Sequence, residues 1–376
     1  MFKEKLKSFM TIRPVKYLHI IWYPDLKFIP KFVKMINEET LYFDKSEHLF
    51  LTPYKNVFDA LKNYTNVVLA GKNKQNLIKA FGKKGEWIFV HALNCSKIKL
   101  LFTPKKLANK VIWRTWGHDL VQPNYSCGRL KSLLKKFFWK LYVEKIRQFK
   151  AVAIANDVDA VAVKSLIGDI KTCALPYSYI PNKFERLEEI YQRMKENSLL
   201  KGNRPFRILV GHSGSITDRH IEVLEYLKKF KKNDIIICLI LSYGGTQEYY
   251  RKVLNYAINI FGNKVEVVTE KMEYFEFAKY LSEIDLACFN QLHSAGLGCL
   301  SLLYSFDKAV VFSADSPFVV CLKNNNCKYQ TFETLQNMDI NELRSLTPDP
   351  NSKKIFVRFK SIDDICMSFK ETLDSL

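Results

Sequence analysis

The stretch from Arg207 to Asp218, RILVGHSGSITD, decides the fold of the second half of this chain. Its apolar start predicts a buried strand, Gly211 and Gly214 predict a tight turn, and the segment His220 to Phe230 that follows predicts an amphipathic helix. The N-terminus of such a helix exposes backbone N–H groups, which favour a bound phosphate. Because a second glycine-containing helix start follows at Ala295 to Leu303 (AGLGCLSLL), the two together predict a diphosphate ligand such as a nucleotide-sugar.

Short apolar runs alternate with helical patterns in both halves of the chain. This alternation predicts parallel sheets covered by helices on both faces, and a complete doubly wound domain in the second half. The polar, turn-rich stretch 186–206 predicts the boundary between a first domain over residues 1–200 and a second over 201–350. Residues 351–376 form a C-terminal helix that we expect to pack back on the first domain. The predicted strands are 17–22, 49–51, 67–70, 87–91, 110–116, 151–155, 208–210, 235–241, 265–268, 286–289 and 309–312.

Composition narrows the partners and the compartment. The chain has 376 residues and a formal net charge of +20, a field that attracts nucleic acid, anionic lipid or phosphorylated substrates. No nucleic-acid recognition motif accompanies the charge, so we expect no nucleic-acid partner. The nine cysteines form no C-x-x-C pair and several lie in apolar runs, a pattern typical of a reduced cytoplasmic protein without a metal site. The basic N-terminus lacks the features of a signal peptide, and no stretch reaches the roughly 18 apolar residues that span a bilayer.

Candidate ligand-binding residues of the second domain all follow predicted strands. The imidazole of His212 and the hydroxyl of Ser213 are expected to add to the amides of the first glycine turn. Glu270 follows the strand 265–268, where a carboxylate suits sugar hydroxyls or a nucleoside. Strand-to-helix packing explains the glycines equally well, and helix capping explains the carboxylate equally well. The predicted donor-binding residues are Gly211, His212, Ser213, Gly214, Glu270, Asn290, Gln291, Gly296 and Gly298.

A polar cluster in the first domain is the candidate catalytic site. The segment Trp113 to Leu120 (WRTWGHDL) ends a predicted strand, and Asp119 there is our expected general base for an acceptor hydroxyl. His118 and His91 are the alternative bases, and Trp116 is expected to contact the acceptor. A polar corner that serves structure alone is the competing interpretation.

Two further motifs have a structural and a functional interpretation. Asp157 and Asp159 resemble a metal-binding D-x-D motif, but the position predicts helix capping by Asn156 or Asp157. The segment Gly128 to Tyr142 predicts an amphipathic helix, which is either packed on the domain or in contact with anionic lipid. The basic residues that lie off its apolar stripe are Lys131, Lys135, Lys136 and Lys140.

Five short motifs in order resemble glycosyltransferase family 56, the bacterial N-acetylfucosaminyltransferases that act on lipid II of the enterobacterial common antigen. They are Trp116 to Asp119 (WGHD), Ile208 to Gly214 (ILVGHSG), Glu270 to Glu273 (EKME), Gly296 to Gly298 (GLG) and Ser316 to Phe318 (SPF). The resemblance implies an α/β protein of the GT-B class, with two Rossmann-like domains whose parallel sheets face an interdomain cleft. It implies a dTDP-linked amino-deoxysugar donor, a polyprenyl-diphosphate-linked oligosaccharide acceptor, and no cofactor or metal.

We therefore expect a cytoplasmic glycosyltransferase that is peripheral on the cytoplasmic face of the inner membrane. Its expected partners are a nucleotide-sugar, a lipid-linked oligosaccharide and the anionic membrane surface. Two alternatives stay open: a GT-B enzyme that uses a UDP- or GDP-sugar, and a non-catalytic component of a polysaccharide assembly complex that retains the fold.

Overall fold

The computed structural model describes residues 15–70, 77–93, 100–116, 129–177, 179–200 and 204–376, which form two compact units. The first unit comprises residues up to Pro181 together with Ser361–Leu376, and the second comprises Asn182–Lys360. The division at residue 181 lies before the helix Lys183–Leu200, whereas the sequence analysis places its boundary after that helix.

The first unit contains a seven-stranded sheet in the order β3-β2-β1-β4-β5-β6-β7, and all its pairings are parallel. Its strands are rich in β-branched and aromatic residues, which suit a sheet that is covered on both faces. The strands are β1 Val15–Ile21, β2 His48–Thr52, β3 Val67–Leu69, β4 Gly85–His91, β5 Val111–Arg114, β6 Ala151–Ile154 and β7 Thr172–Ala174.

Helices connect these strands and supply the apolar faces that cover the sheet. They are α1 Ile29–Glu38, α2 Lys55–Leu61, α3 Leu77–Phe81, α4 Lys105–Ala108, α5 Arg129–Ile146 and α6 Asp157–Ile167. Pro30 occupies the first turn of α1, where its missing N–H breaks no helical hydrogen bond. Asn156 caps α6 by accepting from the amides of Val158 and Asp159, so the predicted capping of this helix is confirmed.

The last helix, α16 Ile362–Asp374, belongs to the first unit although it ends the chain. The ring of Phe369 lies 5.3 Å from Phe32 and 5.9 Å from Phe89, between centroids. The hydroxyl of Thr372 donates to the carbonyl of Ala174 at 2.7 Å.

The second unit repeats the doubly wound pattern with a six-stranded parallel sheet in the order β10-β9-β8-β11-β12-β13. The prediction of parallel sheets with alternating helices is therefore confirmed in both halves. The strands are β8 Phe206–Val210, β9 Ile235–Ile240, β10 Val265–Val268, β11 Leu286–Phe289, β12 Ala309–Phe312 and β13 Gln330–Thr331. The helices are α7 Lys183–Leu200, α8 His220–Leu227, α9 Gln247–Phe261, α10 Tyr274–Ser282, α11 Leu297–Ser305, α12 Pro317–Asn324, α13 Phe332–Gln336, α14 Ile340–Arg344 and α15 Pro350–Phe356.

Both sheets reverse their winding direction at one place, between β1 and β4 in the first unit and between β8 and β11 in the second. In open α/β sheets the loops at the carboxyl ends of these two strands form a crevice that accepts ligands. We therefore expect ligands to bind at the loops after β8 and β11, and at those after β1 and β4. Among the described helices, none has both the length and the apolar character that crossing a membrane requires.

Candidate functional site

The two glycine loops of the second unit meet at the point where its winding reverses. Gly211 extends β8 by donating to the carbonyl of Cys288 on β11 at 3.0 Å. The ring of His212 packs against Gly296, where an added Cβ would lie 2.7 Å from the ring carbon Cγ. The structure therefore brings together the two turns that the sequence analysis pairs.

A buried carboxylate, Asp218, organises the first of these loops. Its Oδ2 accepts from the amide of His212 at 3.1 Å and from the amide and hydroxyl of Ser213 at 2.9 and 3.0 Å. The His212 Nδ1 also lies 3.1 Å from this oxygen. The hydroxyl of Ser213, which we expected to face a phosphate, is thus directed to Asp218, because a buried carboxylate needs donors around it.

The surroundings of Asp218 keep it ionised. Burial acts to raise its pKa, but the adjoining His212 side chain and amide, with a smaller contribution from His220, outweigh burial and hold the pKa below the ordinary value. Burial lowers the pKa of the neighbouring His220 despite the attraction of Asp218, so this imidazole is neutral at pH 7. The result is a loop whose conformation is set by one internal anion.

A third loop, after β9, supports the first by close backbone contact. The amide of Gly214 donates to the carbonyl of Tyr243 at 2.7 Å, and the Tyr243 hydroxyl donates to the carbonyl of His212 at 3.0 Å. A Cβ on Gly214 would clash with the ring of Tyr250, and one on Gly245 would clash with the carbonyl of Gly214. This loop is not among the sites predicted from the sequence, although the Gly244-Gly245 pair after a buried strand is a signal for it.

The N-terminus of α11 lies beside open space. Gly296 precedes the helix with φ +77°, a conformation that favours glycine. Gly298, in the first turn, is exposed, and an added Cβ there would have no atom within 4 Å. The first amides of any helix lack an intrahelical acceptor, so this turn presents donors beside open space.

The remaining residues predicted for the donor occupy different environments. Asn290 is buried and donates to the Glu222 carboxylate at 3.3 Å. Gln291 is fully buried and donates to the carbonyl of Ala295 at 3.1 Å, while its Oε1 has no partner among the described residues. Glu270 is exposed two residues after β10. The structure therefore directs Asn290 to α8 and Gln291 to its own loop, and it leaves Glu270 accessible.

In the first unit, two of the predicted catalytic and acceptor residues, His91 and Trp116, contact the same residue, Tyr177. His91 closes β4, as predicted, but it is fully buried and hydrogen-bonds through Nδ1 to the hydroxyl of Tyr177. The ring of Trp116 lies 5.4 Å from that of Tyr177, between centroids. Asp119 and His118 lie outside the described residues.

The apolar stripe predicted for the basic helix α5 lies partly in the core and partly at the surface. Tyr142, which the stripe includes, is buried, whereas Phe137 and Phe138 are 58% and 44% exposed. Lys136 and Lys140 are also exposed. The side chains of Lys131 and Lys135 lie outside the described part of the chain. The helix is thus anchored through its C-terminal half, and two phenyl rings lie at the surface beside lysines.

Residues 55–356 match the model of a protein family described as 4-alpha-L-fucosyltransferase, glycosyl transferase group 56. The match spans about four fifths of the chain and includes all five motifs on which the resemblance stands.

Solved structures of glycosyltransferases have the same fold. The crystal structure of a glycosyltransferase from Rickettsia africae superposes with a TM-score of 0.63 at 12% identity, covering 96% of this chain and 99% of that chain. Anabaena HepE in complex with UDP gives a TM-score of 0.63 at 11% identity, covering 96% of this chain and all of that one. The trehalose 6-phosphate synthase of Burkholderia multivorans gives 0.56 at 10% identity, covering 96% and 97%. Together with the two parallel sheets, this likeness shows that the chain has the GT-B fold.

Proposed function

Because this chain belongs to the group 56 glycosyltransferase family, we propose that it transfers an amino-deoxysugar similar to N-acetylfucosamine from dTDP to a polyprenyl-diphosphate-linked oligosaccharide. Family membership makes the chain a nucleotide-sugar glycosyltransferase. The identity of the sugar, the nucleotide and the acceptor is the proposed part, and it rests on the motifs from Trp116 to Phe318.

One observation carries the donor assignment: the contact of His212 with Gly296 joins two glycine loops at the carboxyl edge where the sheet changes direction. That edge is where doubly wound domains bind ligands. The amides at the start of α11 suit a diphosphate, since the helix dipole adds a partial positive charge there. Gly298 leaves room for its oxygens, and exposed Glu270 is available to a sugar or a nucleoside.

A UDP-sugar is the second candidate donor. Anabaena HepE, whose fold this chain shares, has been solved with UDP and with UDP-glucose. At 11% identity this likeness supports the fold alone, and titration with both nucleotides distinguishes the two donors.

The proposed acceptor site lies in the first unit. We assign Asp119 as the base that orients or deprotonates the acceptor hydroxyl, with His118 as the alternative. His91 is a poor direct base because its ring is fully buried. Trp116 offers an indole on which a sugar ring can stack. In the donor unit, backbone amides stabilise the departing nucleoside diphosphate, which is the electrostatic part of catalysis.

A membrane surface is the proposed location of the lipid-linked acceptor. The support is the exposed pair Phe137 and Phe138 on α5, next to Lys136 and Lys140, in a chain of net charge +20. Aromatic rings at a boundary and lysines near anionic headgroups are the two forces that hold a helix on a bilayer surface. The protein is then peripheral on the inner membrane.

Titration with nucleotides tests the donor site. Calorimetry with dTDP, UDP and GDP should give the highest affinity for dTDP. Gly298→Ala should weaken binding of the preferred nucleotide at least tenfold, since the new methyl group fills the space at the helix start. It should leave the fold intact, because alanine is favoured over glycine within helices by up to about 1 kcal/mol. Glu189→Ala, on the exposed side of α7, is the matched control and should bind normally.

If Gly298→Ala binds the preferred nucleotide with unchanged affinity, the assignment of the diphosphate to the N-terminus of α11 is wrong. Highest affinity for UDP would favour the second candidate. A wild-type protein that binds a nucleotide-sugar but neither hydrolyses nor transfers the sugar would support the non-catalytic alternative.

A further inference from the structure

Three histidines form a continuous hydrogen-bonded chain through the core of the first unit. His48 begins β2, His19 lies in the middle of β1, and His91 ends β4. The Nδ1 of His48 lies 2.9 Å from Nε2 of His19, and Nδ1 of His19 lies 3.0 Å from Nε2 of His91. Nδ1 of His91 is hydrogen-bonded to the Tyr177 hydroxyl. The chain thus crosses three neighbouring strands diagonally, from the amino edge of the sheet to its carboxyl edge.

The surroundings of this histidine chain keep its imidazoles neutral. His19 is stacked between the rings of Phe50 and Phe89, with centroids at 4.4 and 5.0 Å. Burial lowers the pKa of His48 and of His91 to about 3, and it lowers that of His19 well below its usual range.

Few charged groups act on the histidine chain. Arg114 further lowers the pKa of His91. Asp44 and Lys16 act on His48 in opposite directions, because the carboxylate raises its pKa and the ammonium lowers it. These charges lie at the two ends of the chain, so its middle member is affected only by its own neighbours.

A chain of neutral imidazoles has only two complete arrangements of its protons. Each ring carries one N–H, so if Tyr177 donates to His91, then His91 must donate to His19 and His19 to His48. In the other arrangement every hydrogen bond is reversed, and His48 becomes the first donor. The state of the Tyr177 hydroxyl is therefore tied to that of His48 through the two histidines between them.

The Tyr177 end of the chain lies where the first unit is expected to bind its ligand. Because all strands are parallel, Tyr177, which follows β7, is at the same edge as the end of β4. The Arg114 guanidinium lies 4.5 Å from the centre of its ring, and Trp116 packs on it. Tyr177 retains 7% exposure, whereas the ring of His91 has none.

We propose that the chain from Tyr177 through His91 and His19 to His48 conducts a proton away from the acceptor hydroxyl during sugar transfer. The inference rests on the proposed function, since it assigns the acceptor to this unit. It deepens that proposal by giving Asp119 the role of orienting the acceptor hydroxyl and giving the proton a route through the sheet.

The transfer balances as follows. As the acceptor oxygen forms its bond to the anomeric carbon, its proton passes to the Tyr177 oxygen, and the Tyr177 proton passes to Nδ1 of His91. The Nε2 proton of His91 passes to His19, and the Nε2 proton of His19 passes to His48. His48 then releases its own Nε2 proton to the exposed Asp44 carboxylate, whose charge acts on this ring, and Asp44 passes the proton to solvent. The bond between the anomeric carbon and the diphosphate breaks, and its electron pair leaves with the nucleoside diphosphate.

Nitrogen NMR of ¹⁵N-histidine-labelled protein tests the coupling without any need for sugar transfer. Tyr177→Phe keeps the ring and removes the terminal hydroxyl, so it should shift the ring ¹⁵N resonances of all three histidines, including distant His48. Tyr179→Phe is the matched control, because the Tyr179 hydroxyl donates to Glu39 and is not part of the chain. A shift confined to His91 would overturn the coupled chain.

Kinetics test the role in catalysis. At saturating donor, Tyr177→Phe should lower kcat by about 10² to 10⁴-fold, the usual contribution of a group that transfers a proton. Its nucleotide affinity should be unchanged. A proton inventory in mixed H₂O and D₂O should be curved for the wild type and linear for His19→Phe, which keeps the aromatic stack but interrupts the chain.

Two results would separate this inference from the proposed function. Suppose that the wild-type enzyme transfers sugar and that the kcat of Tyr177→Phe lies within threefold of the wild-type kcat. This result would overturn the proton-conducting role of the histidine chain and leave the proposed function intact. A wild type that transfers no sugar would refute the proposed function, and with it the histidine chain's role in transfer, while the NMR experiment would still decide whether the four residues are coupled.

Discussion

Asp218 illustrates how a single residue sets the geometry of the donor loop. Its carboxylate is fully buried and accepts from two amides and one hydroxyl through the same oxygen. Only an acceptor suits that position, since every neighbour of this oxygen donates. The loop that is proposed to hold the diphosphate therefore depends on an anion inside the protein, which binds His212 and Ser213.

Asp218→Asn should destabilise the protein by about 3 kcal/mol, because the change removes a buried charge partner and leaves buried donors unsatisfied. Asp339→Asn is the matched control. Asp339 accepts from two amides at the exposed start of α14, where asparagine is an equally good cap. The free energy of unfolding of Asp339→Asn should therefore be close to that of the wild type. Urea unfolding at pH 7 measures both, and equal losses would contradict an organising role for Asp218.

At the scale of elements, a line of buried imidazoles crosses one face of the sheet in the first unit. The three strands β2, β1 and β4 each contribute one histidine, Phe32 of α1 packs on two of them, and Phe369 of α16 packs on Phe32. Buried imidazoles remain in such a core only because each satisfies its neighbour. The strand order therefore determines whether this core is stable, since each histidine needs the next strand.

These histidines should make stability depend on pH. Their folded-state pKa lies below the unfolded value of about 6.5, at about 3 for His48 and His91. The unfolded chain thus binds more protons below pH 6.5, so stability is fully present above that pH and falls as the pH falls towards 3. Each histidine contributes a slope of up to about 1.4 kcal/mol per pH unit.

Urea unfolding of the wild type between pH 7.5 and 5 should show this fall in the free energy of unfolding. His19→Phe should reduce the slope of that free energy against pH by the contribution of one histidine. This range lies above the pKa of most carboxylates, so their contribution is small there. A free energy of unfolding that stays constant across the range would contradict neutral, buried histidines.

At the scale of the whole molecule, charge and exposed aromatic rings act together. The net charge of +20 produces a long-range attraction to anionic surfaces, and Phe137 and Phe138 supply apolar contact at short range. Neither force alone gives firm binding to a bilayer. The combination fits an enzyme whose proposed acceptor is confined to a membrane.

Co-sedimentation with vesicles that contain phosphatidylglycerol should detect this binding. Changing both Phe137 and Phe138 to serine should lower the partition coefficient at least tenfold, and 0.5 M salt should lower it for the wild type by screening the charge. Leu41→Ser, at a residue that is 92% exposed on a different part of the first unit, is the control and should bind as the wild type does. Equal binding of all three proteins would exclude α5 as the membrane face.

The sequence by itself determined the class of the fold and the positions of its glycine turns. The strand from Ile208, the turn at Gly211 and the helix from His220 are encoded by neighbours within a few residues, as are the second turn at Gly296 and the cap at Asn156. Local periodicity and backbone preference are properties of short segments, so they can be read without the tertiary structure.

The tertiary structure alone decided which polar groups meet. Asp218 lies only five and six residues from Ser213 and His212, and burial of their loop turns its carboxylate inward to take their donors. That His19, His48 and His91 lie in one line with Tyr177 depends on strand order and register. Those are set by burial of the whole sheet, which brings together residues that are far apart in the chain and leaves no periodic trace in the sequence around any one of them.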